Sequence, residues 1–256
     1  MTARIFIGWD SRETIAYHVL AHSIIDRASI PVAISPVGNA VLPHALWWRE
    51  KGPYDSTEFS NARFLVPALC DFKGWAIFMD CDMLCLDDIE ELWNQRDERF
   101  AVMVRKHEHV PTNSTKFLGA IQTRYPRKNW SSLMLLNCSH PDTRTLTVKH
   151  VNHAAGLDLH GFSWTTEANI GTIVGSWNEL VTHDRRAVSP SPSLVHYTDG
   201  GPWHGYLAQA AVDEWVQELD SLLGGSGNPV ADIGYRLRSG VAEDAIEVTA
   251  RYRRQR

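Results

Sequence analysis

The feature that most constrains this chain is an apolar run that ends in two carboxylates: Trp75-Ala-Ile-Phe-Met79, then Asp80-Cys-Asp82. An unbroken apolar stretch of this length predicts a buried strand, and Met83-Leu-Cys-Leu86 continues the extended backbone. Carboxylates two residues apart in extended chain point the same way. In open α/β sheets, ligands bind at the carboxyl ends of the strands. Two converging carboxylates repel each other unless a cation sits between them. Hard oxygen ligands suit Mg2+ or Mn2+, and such an ion neutralises a diphosphate leaving group. The plainer alternative, two surface Asp in a turn, fits poorly with an apolar strand running directly into them.

His196 is the natural third ligand. Leu194-Val-His196-Tyr197 predicts a short strand that delivers the imidazole at its end, and Thr198-Asp-Gly-Gly-Pro-Trp-His204 follows. Gly200 and Gly201 would let backbone N–H groups approach phosphate oxygens closely. An imidazole beside two carboxylates favours Mn2+, with Mg2+ as the alternative. Without Asp80 and Asp82, a structural His beside a tight turn would be the default reading.

The rest of the chain predicts alternating strands and helices. Arg4 to Gly8 reads as a strand, and a helix follows with Ile15, Val19 and Ile24 near one face and Asp10 or Ser11 as its cap. Val32 to Ser35 is the next strand. Val37 to Tyr54 reads as a loop with a short aromatic helix, and Ser60 to Leu69 as a helix in which Pro67 needs a kink or an end. Asp87 or Asp88 caps a short helix through Trp93. Ala101 to Arg105 and Ser132 to Asn137 read as strands around an irregular polar segment, 106–130. Helices are expected from Pro141, over Thr166 to Val174, and over Tyr206 to Leu223. The expectation is an α/β fold: one domain over residues 1–223, then a Gly/Ser linker and basic extension over 224–256.

Charge narrows the function. Lys+Arg 25 against Asp+Glu 30 gives a net charge of -5, which argues against a nucleic-acid binder. No stretch approaches the roughly 18 continuous apolar residues of a membrane span. The N-terminus reads as a first strand rather than a signal peptide, so the expected location is cytoplasmic. The 4 Cys have no zinc-knuckle spacing and are expected to be reduced and buried. Between Arg236 and Arg256 the tail carries 6 Arg against 3 acidic residues; it reads as a solvated appendage, with peripheral contact to an anionic inner membrane face as the alternative.

Four blocks together resemble glycosyltransferase family 8, the glycogenin-like and bacterial lipopolysaccharide sugar transferases, and suggest a divergent bacterial-type member. They are I-F-I-G-W-D-S-R-E, S-N-A-R-F-L-V-P, W-A-I-F-M-D-C-D-M-L-C-L-D-D-I and L-V-H-Y-T-D-G-G-P-W-H, spanning Ile5 to about Trp203. The resemblance implies a GT-A fold, with a mixed, mostly parallel central sheet flanked by helices. It also implies a UDP-sugar donor, a saccharide or glycoconjugate acceptor, and transfer with retention of anomeric configuration. Asp10 would lie near the nucleotide base and Arg63 would face the donor. Asp80, Asp82 and His196 would hold Mn2+ on the diphosphate, Asp80 also contacting sugar or ribose.

The chain departs from that pattern at three places. Gly201 stands where the family has a Lys before Pro-Trp, leaving Arg63 or Lys128 to supply a diphosphate contact. In Asn129-Trp-Ser-Ser-Leu-Met-Leu-Leu-Asn137, Trp130 replaces a sugar-binding Asn and Ser132 a Gly. The family's D-Q-D is matched at best by Thr165-Thr-Glu167, making Glu167 the candidate catalytic carboxylate; its plainer role is a first-turn helix Glu. Two other classes stay open: a metal-dependent phosphatase or phosphotransferase with Asp80 as nucleophile, and a non-catalytic nucleotide-sugar or glycan-binding domain. His107-Glu-His109 and His150-x-x-His153 lack the spacing or companions of a zinc site.

Overall fold

The computed structural model describes residues 2–52, 55–107, 127–181, 189–205 and 210–224. Along the chain run β1 (Ala3–Gly8), α1 (Thr14–Arg27), β2 (Val32–Val37), α2 (Val66–Leu69), β3 (Trp75–Met79), β4 (Met83–Cys85), α3 (Ile89–Trp93), β5 (Val102–Val104), β6 (Leu133–Asn137), α4 (Val148–His153), α5 (Gly156–His160), β7 (Ile170–Thr172), β8 (Glu179–Leu180), β9 (Leu194–His196) and α6 (Val212–Leu222). Six strands form a sheet in the order β2-β1-β3-β6-β5-β7, and three form a second sheet, β4-β9-β8. In the large sheet β1 pairs in parallel with β2 and β3, and β5 with β7; β6 runs antiparallel between β3 and β5. The central sheet is therefore mixed and mostly parallel, as the family 8 resemblance implies.

Burial follows the sequence pattern. All residues of β3 and β6 are buried, as their continuous apolar runs require of central strands. Edge strand β2 is exposed or half-buried except at Val37, its last residue, which is buried. The chain buries two apolar clusters. The larger surrounds the six-stranded sheet, and the smaller joins Ile15, Ala16 and Val19 of α1 to Leu84, Val195, Tyr197, Trp203 and Trp215. Since Tyr17, Leu20 and Ile24 face the larger cluster, α1 is a wedge between the two.

Local chemistry corrects several boundaries. No side chain caps α1, which begins after Glu13; the Asp10 carboxylate instead accepts from the Arg12 amide and guanidinium. Pro67 falls in the first turn of α2, where a missing N–H costs nothing. Asp88 caps α3, accepting from the Glu90 amide at 2.9 Å. Only a 3-10 turn, Asp142–Thr145, follows Pro141; α4 starts later, capped by Thr147. The described part of the 37–54 loop consists of turns without a helix.

The helix expected over Thr166 to Val174 is a 3-10 turn, Glu167–Asn169, running into β7. Gly171 explains the difference. A Cβ there would lie 2.6 Å from the Phe100 ring and 2.7 Å from Met103, so only glycine lets β7 close onto β5. The start of the helix expected from Tyr206 lies partly outside the described residues, and α6 runs over Val212–Leu222. Residues 225–256, carrying the expected basic extension, also lie outside them. All four cysteines are free and buried. Among the described residues, no helix is long and apolar enough to cross a membrane.

Candidate active site

The ends of β3, β6 and β9 meet at a cavity of ≈ 630 Å³. Such a volume suits a small-molecule ligand. Asp80, Asp82 and His196 all line it. One potential ligand atom from each lies within 4.8 Å of the other two. Backbone pairing creates this convergence. The Asp80 amide donates to the Ser132 carbonyl (2.9 Å), which ties the end of β3 to the start of β6. β4 pairs antiparallel with β9 so that Met83 faces His196, and the Tyr197 amide donates to the Asp82 carbonyl at 2.8 Å. The acidic turn thus bridges the sheets: Asp80 leaves the large one at the end of β3, and Asp82 leads into the small one beside His196.

The donor set fits a divalent cation. Asp82 Oδ1 is buried and makes no hydrogen bond. It stands 3.2 Å from His196 Nε2, in an ion pair only if the ring is protonated. A buried carboxylate oxygen lacking a donor is costly unless charge is brought to it. His196 is 3% exposed, and its Nδ1 contacts Asn178 Oδ1 at 2.8 Å. The other ring nitrogen therefore faces Asp82.

Arg63 anchors the other flank. Its guanidinium is 2.7 Å from Asp80 Oδ1 and donates to the carbonyls of Ser131 (2.8 Å) and Ser60 (2.9 Å). It lies over the Phe59 and Phe78 rings, with centroids 5.2 and 4.9 Å away. Buried Glu13, also on the cavity wall, accepts from Trp203 Nε1 at 3.3 Å, with His204 Nε2 3.7 Å away. Burial raises the Glu13 carboxyl above its ordinary range, with repulsion from Asp82 and Asp10 adding to it and His204 opposing. Sequence reasoning missed Glu13 because an isolated Glu ahead of a helix carries no sign of burial. It also missed Ser131, His160 and Asn178, whose positions depend on distant segments.

The remaining expected residues divide. Gly200, at φ +97°, lines the cavity and needs glycine's freedom. Gly201 packs against Trp203; a Cβ there would lie 2.2 Å from the ring, which explains why no lysine can stand at this position without moving Trp203. Asp10 is fully buried and away from the cavity lining, held by Arg12 and by the Glu58 amide at 3.0 Å. Burial alone would raise its carboxyl, but these hydrogen bonds outweigh it and hold the pKa below the ordinary value. Lys128 is 2% exposed and also absent from the lining. Glu167 stands away from it too: its side chain is 61% exposed and paired with Arg127 (2.5 Å) and Lys106 (3.5 Å).

Comparison with known proteins agrees with this architecture. No protein-family model matches the chain. Among solved structures, the bifunctional glycosyltransferase WbbM superposes with TM-score 0.59 at 14% identity, covering 85% of this chain and 49% of WbbM, so the chain spans about half of that protein's length. The galactosyltransferase LgtC, solved with donor and acceptor sugar analogues, gives TM-score 0.55 at 12% identity over 90% of this chain and 99% of LgtC. These likenesses show the fold, the GT-A fold of glycosyltransferases. Protein CDI of Arabidopsis thaliana is 46% identical over 222 residues, covering 85% of this chain and 86% of that protein. At that identity and coverage, the chain belongs to the family of Protein CDI.

Proposed function

We propose that the chain is a divalent-cation-dependent glycosyltransferase of the family 8 kind, moving a sugar from a UDP-sugar to a saccharide or glycoconjugate acceptor with retention. The observation that carries this reading is the convergence of Asp80, Asp82 and His196 on one cavity in a GT-A fold. Among its described residues the cavity wall has five carboxylates (Glu13, Glu50, Asp55, Asp80, Asp82) and two guanidinium groups (Arg49, Arg63). A diphosphate entering such a wall meets repulsion unless a cation is bound there as well. The transferase domain is residues 1–223, and 224–256 is an appendage to it.

In this reading Asp80, Asp82 and His196 hold Mn2+, or Mg2+ in its place. The bound ion supplies charge neutralisation for the departing nucleoside diphosphate. Arg63 fixes the Asp80 carboxylate and presents further positive charge to the donor. Gly200 allows the backbone to approach the phosphates where a side chain would block it. Glu13 and Trp203 brace that loop from below. The exposed, ion-paired Glu167 is poorly placed to act on the sugar, so carboxylates on the cavity wall are better candidates for the reacting centre.

Calorimetric UDP titration with and without Mn2+ tests the reading. Cation-dependent binding, lost in Asp82→Ala and His196→Ala, is the expected result. A donor-by-donor hydrolysis screen, with the product anomer read by NMR, then identifies sugar and stereochemistry. Absence of UDP binding in either condition overturns the proposal, and a covalent aspartyl-phosphate trapped on Asp80 would replace it with phosphoryl transfer.

A further inference from the structure

A cation site that uses His196 requires one imidazole nitrogen to keep its lone pair, and the structure carries a device that decides which. His196 Nδ1 lies 2.8 Å from Asn178 Oδ1. Asn178 Nδ2 in turn donates to Ser132 Oγ at 2.9 Å, and the Ser132 hydroxyl donates to the Asn129 carbonyl at 2.6 Å. The chain can run in only one direction. A backbone carbonyl only accepts, so Ser132 spends its single proton on Asn129 and must accept from Asn178. That places the amide nitrogen of Asn178 on Ser132 and its carbonyl oxygen on His196. The carbonyl oxygen also only accepts, so His196 Nδ1 must carry the proton. In the neutral ring Nε2 then holds the lone pair, 3.2 Å from Asp82 Oδ1.

We propose that Asn178 and Ser132 are positioning residues: a buried hydrogen-bond chain, anchored on the Asn129 carbonyl, locks His196 as the Nδ1–H tautomer and aims Nε2 at a divalent cation shared with Asp80 and Asp82. The proposal rests on the cation-dependent reading above. Three observations support a built device over a chance contact. Asn178 is fully buried, with a left-handed backbone (φ +67°) that Asn tolerates better than most residues. Ser132 also accepts the Asp80 amide on its own carbonyl (2.9 Å), so one residue fixes the backbone of one candidate ligand and, through Asn178, the ring of another. The acceptor for His196 is a neutral amide, which orients the ring without adding a further negative charge to an acidic cavity. The serine that replaces glycine in the family 8 pattern thereby acquires a task that glycine could not perform.

Two readouts on the full chain test this, with thermal melts confirming that each variant folds. The first is the protonation pattern of the His196 ring, read by nitrogen NMR without metal, above the ordinary imidazole pKa. The second is Mn2+ affinity in the presence of UDP, read by electron paramagnetic resonance. Asn178→Gly keeps the left-handed backbone unstrained and removes the acceptor; Asn178→Asp keeps an acceptor. The wild type is expected to show Nδ1–H. N178G should populate both tautomers and bind Mn2+ about 10–100-fold more weakly, the usual effect of losing a group that orients a metal-bound imidazole. N178D should keep the tautomer and bind at least as tightly as wild type, and Ser132→Gly should fall between wild type and N178G. Wild-type tautomer and affinity in N178G, or equal losses in N178G and N178D, overturn the proposal. A fixed tautomer in a wild type that binds neither Mn2+ nor Mg2+ instead overturns the cation reading, and with it the purpose assigned to the chain.

Discussion

The two sheets of this molecule contribute to one cavity but are built differently. In the large sheet β1, β2, β3 and β6 each have five or six residues. In the small sheet β4 and β9 have three each and β8 two. Strands that short hold little pairing energy of their own. The small sheet depends on its own cluster, where Trp215 and Tyr197 are fully buried and the Trp203 and Trp215 rings lie 5.5 Å apart. Asp80 leaves the large sheet at the end of β3, while His196 closes a strand of the small one. The candidate metal site therefore exists only while both sheets keep their places, and α1, packed into both clusters, sets their spacing.

The largest effects should come from emptying either cluster. Phe78→Ala in the large sheet and Trp215→Ala beneath the small one are each expected to cost about 3–5 kcal/mol. Their consequences should differ under native-state hydrogen exchange. Trp215→Ala should lower protection in β4 and β9 while leaving β1, β3 and β6 protected, whereas Phe78→Ala should weaken both sheets. Equal loss everywhere in both variants would break the comparison and make the two sheets one cooperative unit.

A smaller effect, with a definite pH dependence, should follow from Asp10→Asn. The carboxyl of Asp10 is held below its ordinary value in the folded chain, so its ionised form stabilises the fold above the ordinary carboxylate range. That contribution is lost as pH falls through the lowered folded-state value. At neutral pH the variant should be less stable by about 1–2 kcal/mol, the partly exposed Arg12 end being screened by water. Melting curves of wild type and variant should converge as the medium is acidified. A constant gap across that range would mean the hydrogen-bond geometry matters and the charge does not.

The smallest effect is expected at Glu167. Its ion pairs with Arg127 and Lys106 are made by a side chain that is 61% exposed, and such pairs contribute about 0–1 kcal/mol. Glu167→Gln should leave UDP binding unchanged in calorimetry, which sharpens the contrast between the cavity wall and the surface beside it. A large loss of binding would return Glu167 to the site.

Much of this was legible in the residues. Continuous apolar runs made β1, β3 and β6 readable, since a strand buried on both faces must be apolar throughout. The same logic carried Asp80 and Asp82 to a strand end and His196 to another, so the three potential ligands could be named together. Local signals failed where tertiary contact overruled them. Ile170-Gly-Thr172 has the neighbours of a helix, yet it is a strand because β5 offers an edge that Gly171 can approach. Two-residue β8 has too few positions to show any period.

The sequence by itself determined which groups could bind a cation and which runs would be buried, because both follow from residue type and short-range spacing. Only the tertiary structure decided the amide partner of His196, the burial of Glu13 and the ion pairing of the exposed Glu167. Each depends on partners far along the chain: Asn178 with Ser132, Trp203 with Glu13, Arg127 with Glu167. A hydrogen bond acts over about 3 Å in space, and a sequence records no distances between residues that folding brings together.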